Sequence, residues 1–384
     1  MPSDPQVPFL QVKLESRTLS MDVASLEIED DDRLIDRATI VVDDPNRPYT
    51  DLVHEGMKVR IDMGWGTKHA ILFEGLVISL TGECRRDGRR LATINALDLS
   101  HKMNREQRTE NHEGALSVIL KKLVERSEHG GQIKVGEIRI DPDPVFSLPP
   151  LRQHNETDWR FIQRLAGLYH ARAFVEFNDG CSRFYFLPVR MLLQSNAFGS
   201  LNYCPGFSQV IEFEIQRFAG RASAHQTISV HDPRSGALVQ TPQLPPRTPD
   251  PPPVPDPENL RRLNSISPAL GRRYQAAAEV AAGSAETAAD QRPRRNARGA
   301  HYDPSLATAA HDPDPTEALG FIGRGAIVGN IDLRAKGKVS LHGFGTWADE
   351  GDWYLRRVTH VYTRAIDERR RNSSTYHTKF LVTR

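Results

Sequence analysis

Hydrophobic and polar residues alternate along the first hundred residues of the chain. The alternation covers residues 10–14, 38–42, 57–63, 72–80 and 92–96. A period of two is typical of β-strands that bury one face and expose the other. The segments between them carry turn-forming residues, among them an Asp87-Gly88 pair that favours a tight hairpin. Many short strands at this spacing predict an antiparallel barrel or sandwich.

A different pattern follows between residues 105 and 205. Apolar residues at positions 116, 119, 120, 123 and 124 have helical spacing and predict a first helix. A second helix is predicted to begin with Asn155 as its N-cap, which puts Asp158 beside the positive end of the helix dipole. Two strands, at 173–177 and 183–187, are predicted to follow it. This part of the chain is therefore predicted to be α+β.

Strand patterns return at 210–218 and 226–230, and again from residue 326 to the end. Between them, residues 241–257 carry proline at almost every second position, which predicts an extended polyproline segment that cannot join a sheet. Residues 258–298 are rich in Ala and Arg, with a candidate helix at 272–289, and residues 301–315 have a loop-like composition. We predict an insertion over residues 241–315.

Composition narrows the class of protein. The chain has 384 residues, which suggests two to four domains at roughly 100–200 residues each. Its formal net charge of +1 argues against a strongly basic nucleic-acid binder, and we predict no nucleic-acid sequence recognition. The three cysteines, Cys84, Cys181 and Cys204, lie too far apart to indicate a zinc site or a disulfide framework.

The sequence also bears on where the protein is made. No apolar run approaches the roughly 20 residues that cross a bilayer, so no transmembrane segment is predicted. The first residues lack the basic and apolar regions of a secretory signal. We therefore expect synthesis in the cytoplasm.

Motifs that could carry chemistry have simpler structural interpretations. The segment GWGTK at 64–68 lacks the spacing of a phosphate-binding loop and joins two predicted strands, so we predict a hairpin turn. Gly323, Gly325 and Gly329 depart from the spacing of a dinucleotide-binding fingerprint. The histidines and aspartates of the insertion lack the spacing of a metal site; they are His301, Asp303, His311, Asp312 and Asp314.

An acid–base set can be drawn from His154, Glu156 and Asp158, but the predicted capping role already accounts for Asp158. The charge run at 27–32 is interpreted as a strand end with its turn, and the run at 369–371 as a solvated turn. We therefore assign no catalytic, cofactor-binding or metal-ligating residue. No cofactor is expected, and the chain is predicted not to be an enzyme.

Three segments of the chain resemble one protein family. Residues 23–98, with LEIEDDD at 26–32, DDP at 43–45 and LFEG at 72–75, resemble the first domain of phage late control D proteins, the baseplate hubs of contractile tails. The segment HNETDWRFIQRLA at 154–166 is similar to a helix of that family that also occurs in type VI secretion spike proteins. Residues 329–384, with GNIDLRAKGKVSL at 329–341, resemble the family's closing barrel.

The resemblance implies a mainly β fold with an α+β insert. It predicts a first tail-tube-like β-barrel domain at 1–104, a small α/β domain at 105–205, and a second barrel formed by 206–240 and 316–384, interrupted by the insertion at 241–315. Two departures are Ile331, where the family commonly has proline, and His170, near which the family often has glycine.

The resemblance also implies a function and partners. Such hubs form a homotrimer, a pseudo-sixfold ring that joins the sixfold tail tube to a threefold spike. The expected partners are a tail tube protein, other baseplate proteins and a spike that is a separate polypeptide, since this chain stops at Arg384. The expected location is the baseplate of a phage tail, a tailocin or an extracellular injection particle.

Two alternatives belong to other functional classes. A hub with cell-wall hydrolase activity would need a catalytic centre on a compact inserted domain, whereas the predicted insertion is rich in Pro, Ala and Arg. A cargo or effector adaptor would bind its cargo through the hub lumen or through the insertion.

Overall fold

The computed structural model describes residues 7–19, 22–45, 48–126, 129, 131–204, 206, 209–217, 228–231, 238–240, 261, 265, 295–296, 321–345, 351–366 and 372–384. Nearly all of the predicted insertion at 241–315 lies outside the described residues. This includes its candidate helix, its polyproline segment and its histidines and aspartates. The charge run at 369–371 also lies outside them, as do residues 226–227 of the predicted strand at 226–230.

The chain is built mainly of β-strands. The first part contains β1 (Pro8–Leu14), β2 (Arg17–Thr18), β3 (Val23–Asp31), β4 (Arg37–Asp43), helix α1 (Pro48–Leu52), β5 (Lys58–Trp65), β6 (Lys68–Cys84) and β7 (Arg90–Asp98). The middle part contains a 3-10 helix (Leu99–Asn104), β8 (Gln107–Ala115), α2 (Leu116–Val124), β9 (Ile133–Ile138), β10 (Val145–Thr157), α3 (Asp158–Leu168), β11 (Ala171–Asn178), β12 (Cys181–Pro188) and α4 (Val189–Gln194).

Strands also dominate the last part of the chain. They are β13 (Ser200–Asn202), β14 (Val210–Arg217), β15 (Ile228–His231), β16 (Leu238–Gln240), β17 (Arg295–Asn296), β18 (Phe321–Val328), β19 (Lys338–His342), β20 (Asp352–Ile366) and β21 (Asn372–Thr383). Within the described residues, no helix is long and apolar enough to span a membrane.

One sheet runs through the first and last parts of the chain. Its strands follow the order β14-β18-β21-β20-β3-β4-β7-β6-β5-β1-β2, and each neighbouring pair is antiparallel. The two parts meet where β20 pairs with β3, from Arg357 opposite Asp31 to Thr363 opposite Ser25. The sheet curls because β6 pairs with β5 along its first half and with β7 along its second half.

The two faces of this sheet differ in polarity, as the period-two pattern predicts. Along β3, Leu26 and Ile28 are buried, whereas Glu27 is exposed on the other face. The apolar face packs into two clusters, one around β3–β7 and one around β18–β21 that includes Trp353 and Phe380. The predicted hairpin at 64–68 is confirmed, since β5 ends at Trp65 and β6 begins at Lys68.

The middle part has a core of its own. A three-stranded sheet, β11-β12-β9, packs against α2 and α3. The largest fully buried side chains of this core are Phe161 from α3 and Phe184 and Phe186 from β12. The amphipathic spacing correctly predicts both helices here. Strands β8 and β10 form a separate antiparallel pair beside them.

The start of α3 differs from the prediction. Thr157, not Asn155, is the N-cap, and its side-chain oxygen accepts a hydrogen bond from the backbone N–H of Arg160 at 3.2 Å. Asn155 instead belongs to β10, with a φ of 48°. Its backbone N–H donates to Thr109 Oγ1 on the partner strand, so strand pairing with β8 delays the helix by two residues.

Truncating Phe161 tests the middle core. The side chain has no exposed area, so Phe161→Ala leaves a cavity that its neighbours cannot fill. We expect the free energy of unfolding to fall by about 3–5 kcal/mol, as large-to-small changes in cores do. Urea denaturation followed by circular dichroism measures it. The matched control is Arg160→Ala, an exposed position on the same helix, and an equal loss in both variants would contradict the assignment.

Candidate assembly surfaces and the buried charge junction

The motif residues that the structure describes are not brought together into a reaction centre. Gly323 and Gly325 lie in β18, where a Cβ would meet the ring of Phe213, so these glycines allow close packing. Glu156 pairs with Arg164 at 2.7 Å rather than with His154 or Asp158. No group of three or more His, Cys, Asp or Glu side chains is placed to hold a metal ion among the described residues.

Asp158 lies in the first turn of α3, beside the positive end of the helix dipole as predicted, and it has further partners outside the helix. It is buried at the start of α3, where its carboxylate accepts from Gln153 Nε2 at 2.9 Å and lies 3.2 Å from His129 Nε2. Arg126 Nε lies 3.4 Å away. Burial alone would raise the pKa of Asp158, but these bonds and the Arg126 charge hold it below the ordinary value. The carboxylate therefore fastens α3 to the end of α2 and to β10.

The charge run at 27–32 forms a strand end and a turn, as predicted, but its aspartates are buried. Asp30, Asp31 and Asp32 are each no more than 6% exposed. Asp31 accepts from Arg357 Nε of β20 at 2.7 Å, and Asp32 accepts from Arg172 Nε of β11 at 3.1 Å. Three consecutive carboxylates thus contact cations from distant segments of the chain.

Lys336 lies at the centre of this region. Its ammonium contacts Asp30 Oδ1 at 2.5 Å, Glu176 Oε1 at 3.6 Å and Asp36 Oδ2 at 3.8 Å. It also lies 4.9 Å from the ring centre of Phe174, within range of a cation–π interaction. We call Asp30, Asp36, Asp98, Glu176 and Lys336 the charge junction.

The electrostatics of the charge junction follow from burial and pairing. Burial would lower the pKa of Lys336, but the charges of Asp30, Asp36 and Glu176 hold it well above the ordinary value. The pKa of Asp30 is lowered in spite of burial, chiefly by the charges of Lys336 and Arg334. Lys336 and Asp30 are therefore a charged pair at neutral pH.

Asp36 and Asp98 behave in the opposite way. Burial raises the pKa of Asp98 to about 6, and burial together with the charges of Asp30 and Asp98 raises that of Asp36 well above its ordinary value. They are linked through the Asp36 backbone N–H, which donates to Asp98 Oδ2 at 3.0 Å. These two carboxyl groups therefore keep a proton to a higher pH than a free aspartate does.

The segment that carries Lys336 is docked on the first part of the chain at two further points. Trp65 Nε1 donates to the carbonyl oxygen of Gly329 at 2.6 Å, and the Arg334 guanidinium donates to the carbonyl oxygen of Leu72 at 3.1 Å. No local pattern predicts these contacts, because the partners are more than 260 residues apart. The only signal in the sequence is the conspicuous run of acids at 27–32.

The polar face of the sheet carries charges of both signs, arranged in rows across the strands. One row runs through Glu214, Arg324, Leu381, Arg357 and Asp31, which are successive neighbours in the strand pairings. The adjacent row includes Glu212, Lys379, Glu29 and Arg37. Opposite charges on neighbouring strands stabilise the sheet and leave little net charge on this face.

The strand edges that lack a partner strand within the described residues include those of β14 and of the second half of β6. Strand β14 pairs with β18 on one side, and no described strand pairs with its other side. Residues 79–84 of β6 pair with β7, and again no described strand covers their other side. Unpaired edges are sites at which another chain can add a strand.

An apolar groove of about 390 Å³ lies beside the β14 edge. Phe344 packs edge-on against Phe213 with ring centres 4.8 Å apart, and it lies 5.6 Å from the ring of Tyr203. Ile211 is 61% exposed and Tyr203 is 44% exposed. We call this the aromatic groove; its lining residues are Tyr203, Val210, Ile211, Glu212, Phe213, Ile215, Gly343 and Phe344.

Solved structures share this fold along almost the whole chain. A tail protein from Neisseria meningitidis MC58 matches at a TM-score of 0.58 and 11% identity, over 98% of this chain and 97% of that one. The 43 kDa tail protein of prophage MuSo2 from Shewanella oneidensis matches at 0.59 and 9% identity, over 98% of both chains. No family model and no curated protein matches the sequence.

A third structure connects this fold with secretion. The E. coli c3393 protein, described as a type VI secretion component similar to the phage T4 tail proteins gp27 and gp5, matches at a TM-score of 0.53 and 10% identity, over 97% of this chain and 76% of that one. The chain therefore has the fold of phage tail proteins and of this secretion component. The predicted resemblance is confirmed at the level of the fold, and the mainly β fold class with it.

Removing the Lys336 charge tests the charge junction. Lys336→Met keeps much of the side-chain volume but removes the closest cation of the buried Asp30 and leaves only Arg334, whose Nε lies 3.8 Å from Asp30 Oδ2. We expect a loss of about 3–5 kcal/mol in the free energy of unfolding, the usual result of breaking one half of a buried pair. The control is Lys68→Met, which removes an exposed pair with Asp332 and should change stability by less than about 1 kcal/mol. Equal effects in urea denaturation would contradict the assignment.

Protonation of Asp98 makes the free energy of unfolding depend on pH. Because the pKa of Asp98 is raised to about 6 in the fold, the native state keeps a proton that the unfolded state releases above about pH 4. The proton therefore adds to the free energy of unfolding below about pH 4. This addition disappears as the pH rises from about 4 to about 6, and above that the free energy no longer depends on Asp98.

The variant Asp98→Asn cannot ionise, yet its amide oxygen can still accept from the Ser100 N–H. We expect the stability of this variant relative to the natural chain to rise by on the order of 2 kcal/mol between pH 4 and pH 7. Urea denaturation at each pH measures the difference. The control is the exposed Asp51→Asn, and a difference that is constant across this range would overturn the assignment.

Proposed function

We propose that the chain is the structural hub of a contractile injection system, located in the baseplate of a phage tail or a phage-tail-like particle. In this role three copies form a ring that joins a sixfold tail tube to a separate threefold spike, next to other baseplate proteins. The fold shared with phage tail proteins and a type VI secretion component supports a structural part in such a particle. The role needs no catalytic residue and no cofactor.

The observation that carries the proposal is the continuous sheet with its two open edges. The sheet has eight strands from β14 to β6, with both edge strands counted, and every neighbouring pair is antiparallel. Because eight is even, the two edge strands run in opposite directions. Joining the β6 edge of one copy to the β14 edge of the next therefore continues the antiparallel order, and closure of a ring removes every such edge.

The polarity of the sheet also supports a ring. Its apolar face is covered by the cores of the chain itself, so the polar face is the one that can line a central opening. The rows of acidic and basic side chains give that opening little net charge, which avoids a strong field of one sign. The predicted domains at 1–104, 105–205, 206–240 with 316–384, and the insertion at 241–315, belong to this proposal.

The mass of the purified chain in solution tests the proposed ring. We expect three chains per particle by light scattering on a size-exclusion column, either for the chain alone or after addition of the cognate spike protein. Electron microscopy with the tube and spike proteins should then place the ring between them. A chain that stays monomeric alone and with both proteins would contradict the proposal.

A further inference from the structure

We propose that the aromatic groove of one copy receives helix α1 of a second copy, with Leu52 as the inserted side chain. The inference rests on the proposed function, because it names the contact that joins neighbouring copies in the ring. The partner is therefore another molecule of this chain, held in a head-to-tail contact between two different surfaces.

The groove has the properties of a contact surface rather than of a finished core. Its floor is apolar and aromatic, formed by Phe213, Ile215 and Phe344. Its wall includes Ile211, a large apolar side chain that is 61% exposed at the end of the sheet. Apolar side chains grouped at an open edge are typical of an interface with another chain.

Helix α1 has the complementary position at the other edge. Val53, which follows the helix, is buried in the core of the first part, so the helix is fixed on the sheet. Leu52, at the end of the helix, is 40% exposed. A Cβ built on Gly82 of β6 would lie 3.6 Å from Thr50 Oγ1, so α1 lies directly beside the open part of β6.

Both features lie on the same face of the sheet. Gly82 pairs with Ala92, whose side chain is buried in the first core, and Phe213 pairs with Gly325 next to the buried Phe380. These buried residues define the apolar face at either end. If β6 of one copy pairs with β14 of the next, α1 and the groove therefore meet on that face, where both have apolar side chains to bury.

Charge at the two edges favours the same contact. Glu212 and Glu214 on β14 are exposed, and neither has an ion pair with a described residue. The hairpin that joins β6 to β7 is basic, and its Arg86 and Arg90 also lack an ion pair within the described part of the chain. If β6 of one copy pairs antiparallel with β14 of the next copy, this hairpin lies near the start of that β14, close to Glu212.

Two charge substitutions, one on each surface, test the inference. Leu52→Asp places a carboxylate on α1 and leaves the groove intact, whereas Ile211→Asp does the reverse. Both positions are exposed, so the melting temperature should stay within a few degrees of the natural chain. The control is Leu148→Asp on β10, an 83% exposed leucine away from both edges. Association is measured by light scattering over a range of concentrations.

We expect the natural chain and Leu148→Asp to form the ring, and each edge variant alone to associate at least about tenfold more weakly. A mixture of the two edge variants should form one-to-one dimers, because one intact groove then meets one intact helix. Such a dimer cannot close a ring, since its two outer surfaces both carry the new carboxylate.

Other outcomes overturn the inference in distinguishable ways. If the natural chain forms trimers and both edge variants also do so, the contact is wrong while the proposed function stands. If each edge variant is monomeric but the mixture forms no dimer, the two surfaces do not meet each other. If the natural chain is monomeric at every concentration and with the spike protein, the inference and the proposed ring fail together.

Discussion

The burial of one lysine among carboxylates is the constraint on which the rest of the structure depends. A charged group removed from water is tolerated only with close opposite charges and hydrogen bonds. The partners of Lys336 come from the end of β3, from the turn that follows it and from β11, and the lysine itself comes from the loop before β19. Displacing any of these segments would leave a buried charge unpaired, so the junction admits one arrangement of the three parts of the chain.

That arrangement determines what the sheet can do. The charge junction lies beside the pairing of β3 with β20, which joins the two ends of the chain into one antiparallel ladder. With this pairing in place, the two open edges belong to a single curved body and have a fixed spacing. Repetition of one contact between copies can then give a closed ring, because closure requires the same rotation at each step.

The sequence predicts local features of this fold well and distant ones poorly. Alternation predicted β1, β4, β5, β6 and β7 but not β2 or β3, and helical spacing predicted α2 and α3. Both patterns reflect which side of an element is buried. The start of α3 was misplaced because Asn155 satisfies the capping rule equally well, and only the pairing of β10 with β8 selects Thr157. The burial of Asp30–Asp32 could not be predicted, since it depends on Arg172, Lys336 and Arg357.

The same long separations have a consequence for the newly made protein. Strand β3 leaves the ribosome more than 300 residues before its partner β20, at a rate of about 5–20 residues per second. For tens of seconds β3 is therefore the unprotected border of an unfinished sheet, which invites aggregation with other nascent chains. Glu27, Glu29 and the three aspartates that follow give this border a dense negative charge, which repels identical strands until the last part of the chain arrives.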